Sequence, residues 1–308
     1  MAGLKELRTR IDAIKSTQKI TSAMKMVAAS RLRRVQILVD KNQGYSENLR
    51  RSALRVITEI DEEEKAKNIR YARPTILRMA DNPRNYLLCV ISSDRGLCGA
   101  YNSNTAKKAA QRIRQLLKQG KNIRVTCIGK KAYAILRRNF GNTVEINLAD
   151  TGSKGMSYSE IAKHLEYDIL RQFKTHKFDV CEFVYAKFIS AISRNFLCEQ
   201  VCPIELNTEH LEKDKLSEIN RSGDAFYEYL PDKLTVLDNI LPILFYDNIF
   251  KIVVNAAASE HGARMSSMDS ATRNAKKMIS ELTLKYNSLR QSAITTELIE
   301  IIAGAEAI

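Results

Sequence analysis

All five prolines of this chain lie between Pro74 and Pro242, so residues 1–73 and 243–308 carry none. Proline is the strongest helix breaker, and its absence leaves both ends free to form long uninterrupted helices. Glycine is scarce there too, with only Gly3 and Gly44 in residues 1–60. In the C-terminal stretch Met265, Met268, Thr272, Ala275, Ile279, Leu282, Tyr286, Leu289 and Ala293 step alternately by 3 and 4 residues. Sustained over four heptads, that spacing is a coiled-coil seam. The N-terminal stretch steps likewise through Leu4, Leu7, Ile11 and Ile14. Its apolar positions then slip to Ile20, Met24 and Val27, and again to Leu32, Val35 and Leu38, which predicts a helix with two phase shifts rather than a strict heptad. Fifty to sixty residues of helix would span roughly 75–90 Å. Neither helix could bury its stripe within a compact domain or persist alone in water. The economical solution is an antiparallel pair, with the middle of the chain bringing the two ends together.

The middle reads differently. An apolar run over 86–92 is followed by a turn at 93–99 and a helical pattern over 105–119. A second strand is expected at 123–128, a helix at 130–139, a strand at 143–148, a Gly- and Ser-rich loop at 150–157 and a helix at 159–175. Strands are also expected at 180–186 and near 198–206. Strands alternating with helices predict a parallel sheet with helices on its faces. The fold class expected is therefore α/β: a long antiparallel coiled coil of N- and C-terminal helices with an inserted Rossmann-like α/β domain. Its parts are an N-terminal helix in residues 1–73, the inserted domain in 74–206, an acidic connecting segment in 207–242 and the C-terminal helix in 243–308. Pro242 is placed in the first turn of that last helix or just before it.

Composition narrows the function classes. No run free of Asp, Glu, Lys and Arg approaches the roughly 18 residues of a bilayer span, and the first residues do not resemble a secretory signal, so a soluble protein of a reducing compartment is expected. The net charge is +14. Residues 1–60 hold 13 cations against 5 anions, whereas residues 201–250 hold 4 against 10. Different parts thus face different partners. A basic coiled-coil protein that binds nucleic acid is one reading, but residues 1–40 contain no aromatic residue to interleave with the cations. Cys198 and Cys202 form a C-x₃-C pair with no second pair or His at zinc-finger spacing, and the four His are scattered, so no metal site is expected.

The sheet domain carries no complete motif for chemistry. Gly96-Leu97-Cys98-Gly99 follows a strand, yet G-x-G-x-x-G is absent and no acidic residue closes the strand at 123–128 where a ribose would be held. Gly129-Lys130-Lys131 lacks the rest of a phosphate loop. Asp94 and Arg95 read as a local ion pair and helix cap. No catalytic group and no cofactor is expected.

Three stretches are more specific. Residues 14–34 read IKSTQKITSAMKMVAASRLRR, residues 92–102 SSDRGLCGAYN, and residues 258–275 ASEHGARMSSMDSATRNA, continuing as YNSLRQSAITTELIEIIAGA over 286–305. In kind and in order these resemble the gamma subunits of F-type ATP synthases. The likeness covers about residues 1–40, 86–106 and 258–308 closely, the sheet by pattern, and 207–246 in outline only. It implies a non-catalytic rotor stalk, whose coil stands in a ring of alternating alpha and beta subunits. Its foot would sit on a proton-driven membrane ring of c subunits beside the epsilon subunit, coupling proton flow to ATP synthesis or hydrolysis without crossing the membrane. Partner contacts implied are Met24 and Lys25 at the lower beta-subunit loops and Arg264 and Gln291 on the coil, with Arg290, Thr295 and Glu297 in the same matched run.

Residues 294–308 carry no cation and are apolar most of the way round a helix. Such a tip needs burial on all sides, against this chain's own body or inside a sleeve, and the resemblance implies the sleeve. The N-terminus, without an Arg- and Ser-rich leader, is expected of a protein on the cytoplasmic face of a bacterial plasma membrane, the matrix side of the mitochondrial inner membrane being the alternative.

Overall fold

The computed structural model describes residues 2–78, 80, 82–149, 156–205 and 227–306. Two helices dominate it. Helix α1 runs Ala2–Lys67, and helix α5, defined here as Lys233–Glu306, has 74 residues, so that α5 alone is about 110 Å long. Between them lie β1 (Asn85–Ile91), α2 (Tyr101–Lys118), β2 (Asn122–Ile128), α3 (Lys130–Phe140), β3 (Glu145–Leu148), α4 (Tyr158–Lys174), β4 (Val180–Phe188) and β5 (Arg194–Cys202). The strands form one sheet in the order β3-β2-β1-β4-β5. The first four are parallel, and β5 returns antiparallel to β4. The sequence placed the last strand four residues too late, because β4 and β5 form a hairpin closed at Ser190–Ser193.

One face of the sheet packs on the coil. Leu87, Cys89, Phe183 and Tyr185 meet Ala53, Ile57 and Ile60 of α1, Leu165 and Ile169 of α4, and Leu241, Phe245 and Ile249 of α5. The opposite face, with Leu88, Val90, Val125 and Val184, is covered by Ala109 and Ile113 of α2 and Leu136 and Phe140 of α3. A bulge between Cys181 and Glu182 shifts the register against β5. As a result Cys202 joins the coil-facing core while Cys198 packs into the other, so the C-x₃-C pair is split between the two faces. Every cysteine is a free thiol, and burial pushes those of Cys127, Cys198 and Cys202 up to about 12.

Helix α5 begins ten residues earlier than the sequence suggested, and Pro242 lies inside it. The signal for the true start is Asp232, whose carboxylate accepts from the Thr235 backbone N–H at 2.9 Å and from its hydroxyl at 2.7 Å. That is an N-cap. An interior proline costs a helix roughly 3 kcal/mol, but the flanking Leu237, Leu241, Leu244 and Phe245 are all buried. At about 1.5–3 kcal/mol for each large side chain buried, the packing outweighs the break. Within α5 an 18-residue window has a mean hydropathy of 1.4, long and apolar enough by length and composition to cross a bilayer, and 56% of it is buried against the rest of the chain, as in a core helix. Most of the connecting segment expected over 207–242 and of the loop over 150–157 lies outside the described residues.

Candidate functional surfaces along the coiled coil

The two long helices pair with a constant antiparallel register. Lys233 meets Glu59 at 3.2 Å, Asn42 Nδ2 donates to Asp247 at 2.7 Å, Lys25 meets Asp269 at 2.6 Å, and the hydroxyls of Thr21 and Thr272 bond at 2.9 Å. The α5 seam is the one its apolar spacing predicts, with Met268 and Ala275 buried.

The α1 seam is not. Its phase never slips. Covered positions recur at Ile11, Ile14, Gln18, Thr21, Lys25, Ala28, Leu32, Val35, Val39, Asn42, Ser46, Leu49, Ala53, Val56 and Ile60, a strict 3–4 alternation. Polar residues occupy several seam places and are satisfied across the interface, so the apolar residues looked out of phase. Ile20 and Val27, read as seam, are instead 61% and 54% exposed, with Met26 at 64%. They form an outward apolar stripe at the level of Met24 and Lys25. Met24 itself is half-buried. Lys25 holds the carboxyl of Asp269 below the usual carboxylate range by donating to it, and Arg273 adds to the effect.

Arg264 sits where α5 crosses the sheet. Its guanidinium pairs with Glu260 at 2.7 Å and reaches the backbone oxygens of Arg95 and Gly96 at 3.5 Å. Only 11% of its side chain is exposed. Burial raises the carboxyl of Glu260 in spite of Arg264. His261 beside it is buried, its Nε2 3.4 Å from the Tyr158 hydroxyl and its Nδ1 without a hydrogen-bond partner. Desolvation, then the charges of Arg264 and Arg31, lowers it to about 4.

This junction covers the place where a Rossmann-type sheet would hold a ligand, the carboxyl ends of the strands between β1 and β4. Around the Gly96–Gly99 turn, Cys98 and Tyr101 pack on Ala186 and Ala263. The Tyr101 hydroxyl donates to Ala256 O at 3.2 Å, and Ser259 donates to Ala186 O at 2.8 Å. Helix α5 crosses the crevice and leaves a cavity of about 580 Å³ between the Cys98–Tyr101 turn, the β4–β5 hairpin at Ser193 and its own Ala263, Ser267 and Ser270. Asp94 does not cap α2, the helix after its own turn; its carboxylate accepts from the Lys130 N–H at the start of α3 at 3.0 Å. The Asp94–Arg95 ion pair is not among those of the described residues, where Arg95 O accepts from Ser93 and Arg264 instead.

Arg290, Gln291, Thr295 and Glu297 are exposed. The pairing register puts the start of α1 level with about Ser292, so α5 continues alone from there to Glu306. On that single helix Leu298, Ile299, Ile301 and Ile302 are all more than half exposed. The seven residues implied by resemblance therefore fall at two levels: Met24 and Lys25, the latter paired with Asp269, lie within about two helical turns of Arg264 beside the sheet junction, and the other four lie toward the tip. They form no single site. Sequence reasoning missed the outward stripe, because Ile20 and Val27 passed for seam residues.

Two long antiparallel helices with a Rossmann-like domain inserted between them, one of them crossing the sheet at its switch point, define an elongated stalk-like protein. Residues 3–308 match the family model described as ATP synthase. Relatives described as ATP synthase gamma chain include that of Sinorhizobium fredii, 38% identical over 310 residues, and that of Pelagibacter ubique, 39% identical over 308, each covering 100% of both chains. The chain belongs to the ATP synthase gamma-chain family. Its fold is similar to a chain of the Euglena gracilis mitochondrial ATP synthase in rotational state 3, at 19% identity and a TM-score of 0.62 over 99% of this chain and 94% of that one. A chain of the Tetrahymena thermophila central stalk and c-ring structure aligns at 19% identity with a TM-score of 0.54, over 82% of this chain and 99% of that one.

Proposed function

We propose that this chain is the central rotor stalk of a proton-translocating F-type ATP synthase, a subunit without an active site of its own. The observation that carries the reading is the unpaired tip of α5. A helix apolar on several faces and extending beyond its partner is stable only inside a surrounding sleeve. A ring of alternating alpha and beta subunits supplies such a bearing. The outward stripe of Ile20, Met26 and Val27, with Met24 and Lys25, would meet the lower loops of the beta subunits. Arg290, Gln291, Thr295 and Glu297 would meet the head near the bearing, and Arg264 would engage it by leaving Glu260. The cations of α1 suit sliding contacts, since exposed pairs are singly worth about 0–1 kcal/mol and are screened by salt.

The sheet domain lies along the other half of the coil, away from the tip. It would stand on the membrane c-ring beside the epsilon subunit, on the cytoplasmic face of a bacterial plasma membrane or the matrix side of the mitochondrial one. The absence of a G-x-G-x-x-G or P-loop sequence beside the sheet supports a mechanical rather than a nucleotide-processing role.

The test is reconstitution. Purified alpha and beta subunits are mixed with the full chain or with a version ending at Arg290, then assembly is followed by gel filtration and ATP hydrolysis by phosphate release. The full chain should give a large complex with turnover that the subunits alone lack, and the shortened chain a weaker one. A full chain that neither co-elutes nor changes turnover would refute the proposal.

A further inference from the structure

A cavity of about 240 Å³ opens where α1, α5 and the end of β4 meet, walled by Val39, Phe188, Phe250 and Val254. These side chains belong to one apolar cluster with Leu32 and Val35, so the cavity reaches into packed interior. Its lining residues Val254 and Asn255 are 1% and 7% exposed and form the floor. Leu38, Lys187 and Lys251 are exposed and form the mouth. Protein interiors hold few voids larger than a water molecule, and an apolar cavity of roughly 150 Å³ already admits a benzene ring.

Two polar features of the cavity are unmatched within the described residues. Asn255 Nδ2 donates to Lys251 O at 2.8 Å, which orients the amide and leaves its Oδ1 an acceptor without a donor. A buried acceptor in that state is costly. Lys187 and Lys251 have no ion pair among the described residues. The carboxylates of the surrounding elements do not answer them. Asp247 is 3% exposed and accepts from Asn42 and Ser46, which stand between it and the cavity wall. Asp40 and Glu47 lie roughly 140–160° around α1 from Asn42, on other faces. Glu182 binds Arg112 on the opposite face of the sheet, and Glu260 binds Arg264. Two ammonium groups against one sequestered carboxylate leave the mouth net positive.

We propose that this cavity is a binding site for a small hydroxylated aromatic carboxylate. The ring packs on Phe188 and Phe250, the hydroxyl donates to Asn255 Oδ1 on the floor, and the carboxylate rests between Lys187 and Lys251. A neutral aromatic leaves the lysines unused, and a fatty acid leaves the amide oxygen unmatched, so the three features together select the class. Phenyl rings in the wall also favour a flat guest over an alkyl chain. The inference is independent of the rotor reading. A guest here ties α1, α5 and β4 together beside the Asn42–Ser46–Asp247 layer, and it stabilises the folded chain by mass action.

The chain contains no Trp, so a fluorescent guest can be followed directly. The probe is 6-hydroxy-2-naphthoate, titrated into the full chain by fluorescence anisotropy. Binding should saturate at one probe per chain and raise the melting temperature. Affinity should fall about fivefold for 2-naphthoate, which lacks the donor, and about tenfold for 2-naphthol, which lacks the carboxylate. Lys187→Gln/Lys251→Gln should weaken the probe about tenfold and leave 2-naphthol unchanged. Asn255→Leu should erase the preference for the hydroxyl, and Val254→Phe, which fills the cavity, should abolish binding. The lysine positions are exposed, so that double variant keeps the test valid if Val254→Phe fails to fold. Leu298→Asp/Ile301→Asp, at the apolar tip, should bind as the native chain does. Absence of saturable binding, equal affinity for 2-naphthol, an unaltered hydroxyl preference in Asn255→Leu, or a loss confined to the tip variant would each overturn the assignment.

Discussion

The polar layer in the lower coil gives the sharpest test of how the two helices hold their register. Asp247 is 3% exposed, and its carboxylate is held across the seam by Asn42 Nδ2 at 2.7 Å and by the Ser46 hydroxyl. Hydrogen bonds to a charged group contribute about 1.5–3 kcal/mol each, and a buried charge stripped of its partners costs about 3–5 kcal/mol. The double variant Asn42→Ala/Ser46→Ala removes both donors and leaves the carboxylate facing alanines. It should lower unfolding stability by about 3–5 kcal/mol, read as a fall in urea midpoint at unchanged slope. Adding Asp247→Leu removes the stranded charge and restores apolar volume, so the triple variant should regain most of that loss. A buried polar layer also selects one register over its neighbours. The triple variant should therefore bring heterogeneity in cross-linking between cysteines placed at positions 21 and 272. If the double variant loses under about 1 kcal/mol, or the triple variant is no more stable than the double, the carboxylate is not sequestered as the structure has it and the reasoning fails.

Other expectations follow from the same contacts. Gly129 has φ +106°, and a Cβ there would lie 2.2 Å from the Ser92 backbone oxygen, so Gly129→Ala should destabilise by at least about 2–3 kcal/mol in thermal melts. A near-neutral result would refute the close approach of β1 to the start of α3. Arg112→Met strands Glu182, which is 6% exposed, and should cost about 3–5 kcal/mol, most of it recovered in Arg112→Met/Glu182→Met by chemical denaturation. His261 has a folded pKa of about 4 against 6.5 for the free side chain. The unfolded state then binds more protons between those values, so the histidine's contribution to stability is complete above about pH 6.5 and is lost as pH falls toward 4. Replacing it in His261→Gln should flatten that acid limb by up to about 3 kcal/mol, and an unaltered pH profile would sink the assignment. At the tip, Leu298→Asp/Ile301→Asp should leave the isolated chain's melting temperature unchanged, because both side chains are exposed, while reducing assembly with alpha and beta subunits in gel filtration.

How far the sequence could be read depended on whether apolar spacing and burial coincide. In α5 they do, because Met268, Ala275, Ile279 and Leu282 occupy the seam, and the helix was legible from Met265 onward. In α1 the interface is completed by Gln18, Thr21, Lys25, Asn42 and Ser46, each bonded or covered by α5 or its own helix. Their hydrophobicity says nothing of their position, while Ile20 and Val27, turned outward, supplied a false phase. The start of α5 was hidden for another reason. Pro242 argues against a helix locally, and only the packing of Leu241, Leu244 and Phe245 against the sheet, invisible in one dimension, overrides it. The parallel strands were legible as apolar runs, whereas β5 alternates along an edge and its direction is set by the hairpin. Of the candidate contacts, Thr295 and Glu297 are exposed as a surface role requires. The Glu260–Arg264 pair has the i,i+4 spacing of a helical ion pair, but the burial of Arg264 against the Gly96 turn had no signal in one dimension.

The unequal lengths of the paired helices have a mechanical consequence. A shaft loaded at one end twists most where its cross-section is least, since torsional stiffness grows steeply with radius. The lower half is thick, two helices backed by a sheet domain, and the part beyond about Ser292 is one helix wide. Turned at the foot and resisted at the head, such a shaft winds chiefly near its tip, like a spring soldered to a rigid axle. Uneven effort at one end can then reach the other as smoother torque.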